Sequence, residues 1–144
     1  MPQRPIKSVI ARQKILTATA TMTVHDAARQ MKQRNVSSIM IVEAGHLVGI
    51  FTERDALFRI TAEGRDAKTV KLAEVMTSHP QTIDPDKPIG HALLMMYEGG
   101  FRHVPVVKDG RPVGMVSARD ALGPELKEFE SDVERREHIG EILG

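Results

Sequence analysis

A hydroxyl and a carboxylate recur three residues apart at two places in the chain. Thr52 precedes Asp55, and Ser117 precedes Asp120, each directly after an apolar run. A carboxylate can accept hydrogen bonds from the two vicinal hydroxyls of a ribose, and a hydroxyl at a helix start can contact a phosphate. The same pair can also cap a helix, because both groups can satisfy free backbone N–H groups. The motif alone therefore leaves a nucleotide site and a structural cap as equal alternatives.

Both motifs belong to an internal repeat with an offset of 65 residues. Residues 17–57 align with residues 82–122 without a gap and share eleven identities, among them Gly49 with Gly114. We expect these glycines to let a ligand or another backbone come close. A unit of about sixty residues buries too little surface to be stable alone, so the two copies should fold against each other.

Composition excludes several classes of function. The 144 residues carry a formal charge of +1, only 3% are aromatic and none is cysteine. We expect no nucleic-acid surface, since such surfaces combine basic and aromatic side chains, and no membrane span. The six histidines form no metal-binding pattern, so no metal site is expected. Nucleophile-elbow, Walker and dinucleotide fingerprints are missing, and we expect a cytoplasmic protein that is not an enzyme.

Periodicity predicts the same order of elements in both copies: helix, strand, helix, strand, strand, helix. In the second copy the long helix ends at Gly99-Gly100, and Asp109-Gly110 predicts a tight hairpin turn. The predicted strand pairs are residues 38–42 with 47–51, and residues 104–107 with 112–116. Each copy should then end in a helix opened by Thr52 or Ser117.

The tail after Leu122 has no counterpart in the first copy. Gly123-Pro124 should break the preceding helix or restart one. Apolar residues then recur at roughly helical spacing among many charges: Leu126, Phe129, Val133, Ile139 and Leu143. The pattern fits a surface helix laid on the core, and it also fits a helix that contacts a second subunit or a partner.

Residues 6–122 resemble a tandem pair of cystathionine-β-synthase (CBS) domains, in the form of a stand-alone bacterial protein. The matching marks, in order, are Val75-Met76-Thr77, Thr82, Gly99-Gly100, the run Arg102–Val107 and both Thr/Ser-x-x-Asp segments. The resemblance implies an α+β (mixed α/β) fold of two β-α-β-β-α units packed sheet to sheet. The expected domains are residues 6–65, residues 66–123 and a helical tail over 124–144.

The resemblance also implies a function. Such modules bind AMP, ADP, ATP, NAD or S-adenosylmethionine in a cleft between the copies, as regulatory sensors of energy or redox state. No cofactor is required, and AMP, ATP or NAD is the expected ligand. Two chains are expected to pair as a homodimer, a flat disc with four clefts, that acts on an unknown effector protein. The alternative is a ligand-independent protein-interaction module in which the motifs are helix caps.

Residue roles follow from the resemblance position by position. Asp55 and Asp120 would hold ribose, and Thr52 and Ser117 would hold ribose or phosphate. The expected ligand-binding set is completed by Thr17 and Thr82 at the adenine, Arg102 and His103 at phosphates, and Ser38, Pro105 and Arg119. The first copy has Ser37-Ser38 where the second has Arg102-His103, which predicts unequal clefts. The pattern leaves open which copy's ligand Arg102 and His103 serve.

Overall fold

The structure is a computed structural model that describes the backbone of residues 1–143 and the side chains of residues 1–137. It confirms a mixed fold of helices and short strands. The helices are α1 Ile6–Ile10, α2 Val24–Arg34, α3 Glu53–Asp55, α4 Leu72–Val75, α5 Ile89–Gly99 and α6 Gly123–Leu143. The strands are β1 Thr17–Ala18, β2 Ser38–Glu43, β3 His46–Thr52, β4 Thr77–Ser78, β5 His103–Lys108 and β6 Arg111–Ser117.

Local signals place the ends of the long helices. The Thr23 hydroxyl accepts a hydrogen bond from the Asp26 amide at 3.2 Å and so caps α2. Asn35 and Gly100 end α2 and α5 in the left-handed conformation, with φ of 52° and 70°. The hairpin turns also use positive φ, at Ala44-Gly45 and Asp109-Gly110.

The two copies differ in their sheets. In the first copy, β1, β2 and β3 form one sheet in that order, with β1 parallel to β2, and β4 from the segment leading into the second copy pairs with β3. In the second copy, β5 and β6 form a two-stranded sheet, and the predicted extended segment makes only a bridge from Ile83 to Val106. The hairpins of the two copies touch where the Leu47 amide donates to the Gly110 carbonyl at 3.0 Å.

The short helix before each copy packs into the core of the other copy. Ile6 and Ile10 of α1 are buried with Val104, Val116 and other residues of the second copy. Leu72 and Val75 of α4 are buried in the core of the first copy. The two cores are therefore interlaced in sequence, and the domain boundaries expected above stay a prediction.

The last helix of each copy also differs. After Thr52 the chain forms α3 and a continuing π-helical turn over Ala56–Thr61. After Ser117 it forms only a 3₁₀ turn over Ala118–Asp120, and α6 begins at Gly123. Gly123-Pro124 therefore restarts a helix.

Helix α6 lies on the second copy. Phe129 is buried in that core and meets the Tyr97 ring edge-on at 6.1 Å between centroids. Val133 packs against the same core, whereas Leu126 stays 41% exposed. These contacts favour the surface-helix interpretation of the tail; Ile139 and Leu143 fall outside the residues whose side chains are described. No helix within residues 1–143 is long and apolar enough to cross a membrane.

Candidate functional site

The first hydroxyl–carboxylate pair forms a closed cap at the start of α3. The Thr52 amide and hydroxyl donate to Asp55 Oδ2 at 3.0 and 3.1 Å. The Asp55 amide donates back to the Thr52 hydroxyl at 3.3 Å. The other carboxylate oxygen, Oδ1, faces Arg59 Nε at 3.5 Å. Both oxygens of Asp55 are therefore engaged within the protein.

The second pair is capped in the same way but is less engaged. The Ser117 amide and hydroxyl donate to Asp120 Oδ2 at 2.7 and 3.3 Å. Among residues 1–137, the Asp120 carboxylate makes no ion pair. The Asp120 carbonyl instead accepts a hydrogen bond from Arg4 at 2.6 Å, and Arg4 is paired with Glu125 of α6. The backbone of the second motif is thus anchored while one carboxylate oxygen stays available.

Two clefts open between the copies, and each contains one motif. The Asp120 cleft has a volume of about 570 Å³ and joins Ser117 and Asp120 to residues of the first copy. The Asp55 cleft has a volume of about 720 Å³ and joins Thr52 and Asp55 to residues of the second copy. Both volumes lie within the range of small-molecule sites. Each motif therefore faces the opposite copy across a cleft.

The segment before β1 forms one wall of the Asp120 cleft. The Gln13 side chain donates to the Met115 carbonyl at 2.8 Å and accepts from the Met115 amide at 2.9 Å, much as a neighbouring strand would. The Leu16 carbonyl accepts from the Met40 amide at 3.2 Å. These bonds tie the wall to β6 on one side and β2 on the other. Ser38 and Arg119 complete the predicted residues in this cleft.

The Asp55 cleft has more aromatic walls. Phe58 and Phe101 line it, and the Arg54 guanidinium lies 5.1 Å from the centre of the Phe58 ring. His79 and Gln81 supply the wall from the second copy. Arg102 lines this cleft, which holds the motif of the first copy.

His103 lies between the two clefts and lines both. Its Nε2 is 2.8 Å from the Ser37 hydroxyl. Ser37 is the residue of the first copy that aligns with Arg102 of the second. Burial lowers the pKa of His103 from its ordinary value of 6.5; nearby Glu53 and Asp120 oppose the shift, and Arg102 and Arg119 add to it. Burial therefore favours the uncharged imidazole of His103 relative to that of a free histidine.

Three residues predicted to bind ligand line neither cleft. Thr17 pairs with Met40 inside the first sheet, and Thr82 is exposed outside both clefts. Pro105 is buried in β5, where its carbonyl accepts from the Ile83 amide. Eight of the predicted residues do line a cleft: Ser38, Thr52, Asp55, Arg102, His103, Ser117, Arg119 and Asp120.

The motif glycines serve packing between elements. A Cβ on Gly49 would lie 2.5 Å from the Met76 sulfur and 3.1 Å from the Thr77 carbonyl oxygen. A Cβ on Gly114 would lie 2.7 Å from Cβ of Ile10 in α1. The sequence predicts that a ligand or another backbone comes close to Gly49 and Gly114. In the structure, other segments of the chain come close to both glycines.

Sequence patterns missed two cations of the Asp120 cleft, Lys14 and Arg34. Lys14 precedes the aligned repeat, and Arg34 aligns with Gly99, so comparison of the copies gave no signal for either. No group of three or more potential metal ligands is present among the side chains of residues 1–137; His138 lies outside them.

The internal repeat agrees with comparisons to known proteins. The model of the family described as CBS domain matches twice, over residues 6–62 and 72–123. The chain belongs to the CBS-domain family. It is a tandem CBS pair.

Curated relatives are similar over most of the chain. The mitochondrial CBS domain-containing protein CBSX3 of Arabidopsis thaliana is 35% identical over 125 residues, which are 83% of this chain and 61% of the relative. The CBS domain-containing protein YhcV of Bacillus subtilis is 36% identical over 106 residues, 74% of this chain and 75% of the relative. The chain thus spans about three fifths of the CBSX3 protein.

Solved structures share the fold. The CBS domain pair of protein MJ0100, in complex with 5′-methylthioadenosine and S-adenosyl-L-methionine, has a TM-score of 0.73 and 29% identity. The match covers 81% of this chain and 94% of that one. A hexameric CBS-CP12 protein from bloom-forming cyanobacteria has a TM-score of 0.78 over 99% of this chain and 85% of its own, at 21% identity. This last match shows the fold alone.

Proposed function

We propose that this CBS pair is a regulatory module that binds an adenosine-containing ligand in the clefts between its copies. AMP, ATP, NAD and S-adenosylmethionine share the adenosine half that the site would recognise. The observation that carries the proposal is that each Thr/Ser-x-x-Asp motif lies in a cleft completed by the opposite copy. The complex of the related MJ0100 pair with two adenosine compounds supports it.

A bound ligand would act by bridging the two copies. Its ribose would contact the hydroxyl–carboxylate motif of one copy, while its base would lie against the wall from the other. Such a bridge favours one relative arrangement of the copies only if the ligand binds that arrangement more tightly. In this role the module reports the level of an adenosine compound, as an energy or redox sensor, without catalysing a reaction.

We also propose that the functional unit is a homodimer that passes the signal to an effector protein. Leu57 and Leu122 occupy equivalent positions in the two copies and are 54% and 55% exposed. Leu126 is a further large apolar side chain that is exposed, at 41%. Sedimentation analysis of the whole chain should give twice the monomer mass, and a monomer mass would contradict the proposal.

The thermal stability of the whole chain tests ligand binding. At 100 times Kd, a ligand adds about 2.7 kcal/mol, which corresponds to a rise of roughly 5–10 °C in melting temperature for a chain of this size. Asp55→Ala combined with Asp120→Ala should abolish the rise. Glu98→Ala removes an exposed carboxylate of α5 and should keep it.

One observation favours a second candidate, a ligand-independent interaction module. Both motifs form helix caps through hydrogen bonds within the protein. In a ligand-independent module, capping would be their whole function. A melting temperature that stays unchanged with AMP, ATP, NAD and S-adenosylmethionine at millimolar concentration would support this candidate against the first.

A further inference from the structure

We propose that the Asp120 cleft is the site for a phosphorylated adenosine ligand, whereas the Asp55 cleft takes an adenosine ligand without phosphate. This assignment rests on the proposed function and deepens it. Arg102 and His103 are the phosphate-binding residues expected from the sequence, and Arg102 lines the Asp55 cleft. Those residues alone would therefore assign the phosphate to the Asp55 cleft, which is the opposite of this proposal.

The charges of the two clefts carry the assignment. Lys14, Arg34 and Arg119 line the Asp120 cleft beside a single carboxylate, a formal charge of +2 with His103 neutral. In the Asp55 cleft, Arg54 and Arg102 are balanced by Glu53 and Asp55, a formal charge of zero. A phosphorylated ligand is attracted to the first cleft because like-signed groups in a concave site raise the local concentration of the opposite charge.

The cations of the Asp120 cleft are placed for this task. Arg34 Nη2 donates to the Lys14 carbonyl at 2.5 Å, which holds its guanidinium at the cleft wall. Lys14 and Arg119 make no ion pair with residues 1–137, so their charges are not neutralised. In the Asp55 cleft, Arg54 and Arg102 also make no ion pair with residues 1–137, but two carboxylates, Glu53 and Asp55, line the same cleft and offset their charge.

The carboxylates of Asp55 and Asp120 also differ, because only Asp55 is held in an ion pair within residues 1–137. Asp55 must give up its contact with Arg59 before its Oδ1 can accept a ribose hydroxyl, because Oδ2 is held by the cap. Asp120 has one oxygen that is not engaged in an ion pair within residues 1–137. The Asp55 cleft compensates with aromatic walls from Phe58 and Phe101, which suit an uncharged ligand.

Titration calorimetry of the whole chain tests the assignment with two probes, ADP and the uncharged 5′-methylthioadenosine. Lys14→Ala with Arg119→Ala should weaken ADP binding about a hundredfold, because two charged hydrogen bonds are lost at about tenfold each. The same variant should keep its affinity for 5′-methylthioadenosine in the Asp55 cleft.

Arg54→Ala with Arg102→Ala is the charge-matched variant of the other cleft. All four arginine and lysine side chains are exposed, so both variants should fold like the wild type. Loss of ADP affinity in the Arg54/Arg102 variant and not in the Lys14/Arg119 variant would overturn the assignment and leave the proposed function standing. Wild-type protein that binds neither probe would overturn both.

Discussion

At the scale of single residues, Asp55 and Asp120 cap the turns that contain them, and in the proposed complex they would also bind ribose. The two roles are compatible because a carboxylate has two oxygens and the cap occupies only Oδ2 in each copy. At Asp120 the other oxygen is available, whereas at Asp55 Arg59 competes for it. The two motifs therefore share one structural role as caps and differ in whether the second carboxylate oxygen is free of an ion pair within residues 1–137.

His103 should make stability depend on pH. Its pKa is lowered in the folded protein by burial, so below about pH 6.5 the unfolded chain binds more protons than the folded protein. The free energy of unfolding should then fall as the pH decreases from 7.5 through 6.5 to 5. His103→Gln, which keeps a polar side chain near Ser37, should show a weaker fall.

Urea unfolding of the wild type and His103→Gln across this pH range measures the difference. The exposed histidines and the carboxylates are common to both proteins, so their titration cancels. Curves that run parallel from pH 7.5 to pH 5 would show that His103 does not contribute.

Residue types revealed most of the site, but not the direction in which each side chain points. The motif residues line the clefts because their hydroxyl and carboxylate lie at the ends of β3 and β6. Thr17, Thr82 and Pro105 line neither cleft, and their role in binding stays a prediction. A repeat alignment does not show which of two neighbouring side chains faces a cleft. Leu16 and Gln81, one residue earlier in each copy, line the clefts instead.

At the scale of elements, the packing of α1 into the second core and of α4 into the first explains why residues 49 and 114 are glycines. Gly114 on β6 leaves room for Ile10, which is 8% exposed in the second core, and Gly49 on β3 leaves room for Met76 after α4. Each glycine thus admits the short helix segment that precedes a copy. The closeness of these segments also brings residues 13–16 to the Asp120 cleft.

Gly114→Ala should destabilise the protein by about 1–3 kcal/mol, the usual cost of overpacking a well-packed core. The new Cβ would meet Cβ of Ile10, which cannot move without shifting α1. Gly123→Ala at the start of α6 is the control, since nothing lies within 4 Å of its added Cβ. Urea denaturation measures both changes, and equal midpoints for the two variants would contradict this account of α1.

The long helices α2 and α5 and the hairpins were predictable because caps and turns act locally, whereas the helix predicted after Ser117 is only a 3₁₀ turn. Thr23, Gly100 and Asp109-Gly110 each fix a neighbouring backbone, so the pattern in sequence is sufficient. Strand β4 was missed because two residues at Thr77–Ser78 become a strand only through pairing with β3. The packing of α1 into the second core depends on contacts about one hundred residues apart, which no local pattern encodes.

At the scale of the whole molecule, neither copy is complete without the other. Each core takes a helix from outside its own repeat, and each cleft has walls from both copies. Under the proposed function, a ligand in either cleft would contact both halves of the module, and such a bridge would favour one arrangement of the halves over another.

The most direct test of ligand binding between the copies is a crystal structure of the whole chain grown with AMP. We predict ligand density in a cleft, with the ribose hydroxyls within hydrogen-bonding distance of Asp120 or Asp55 and the base against the wall from the opposite copy. Density that lies outside both clefts, or two empty clefts with closed caps at saturating AMP, would contradict the account.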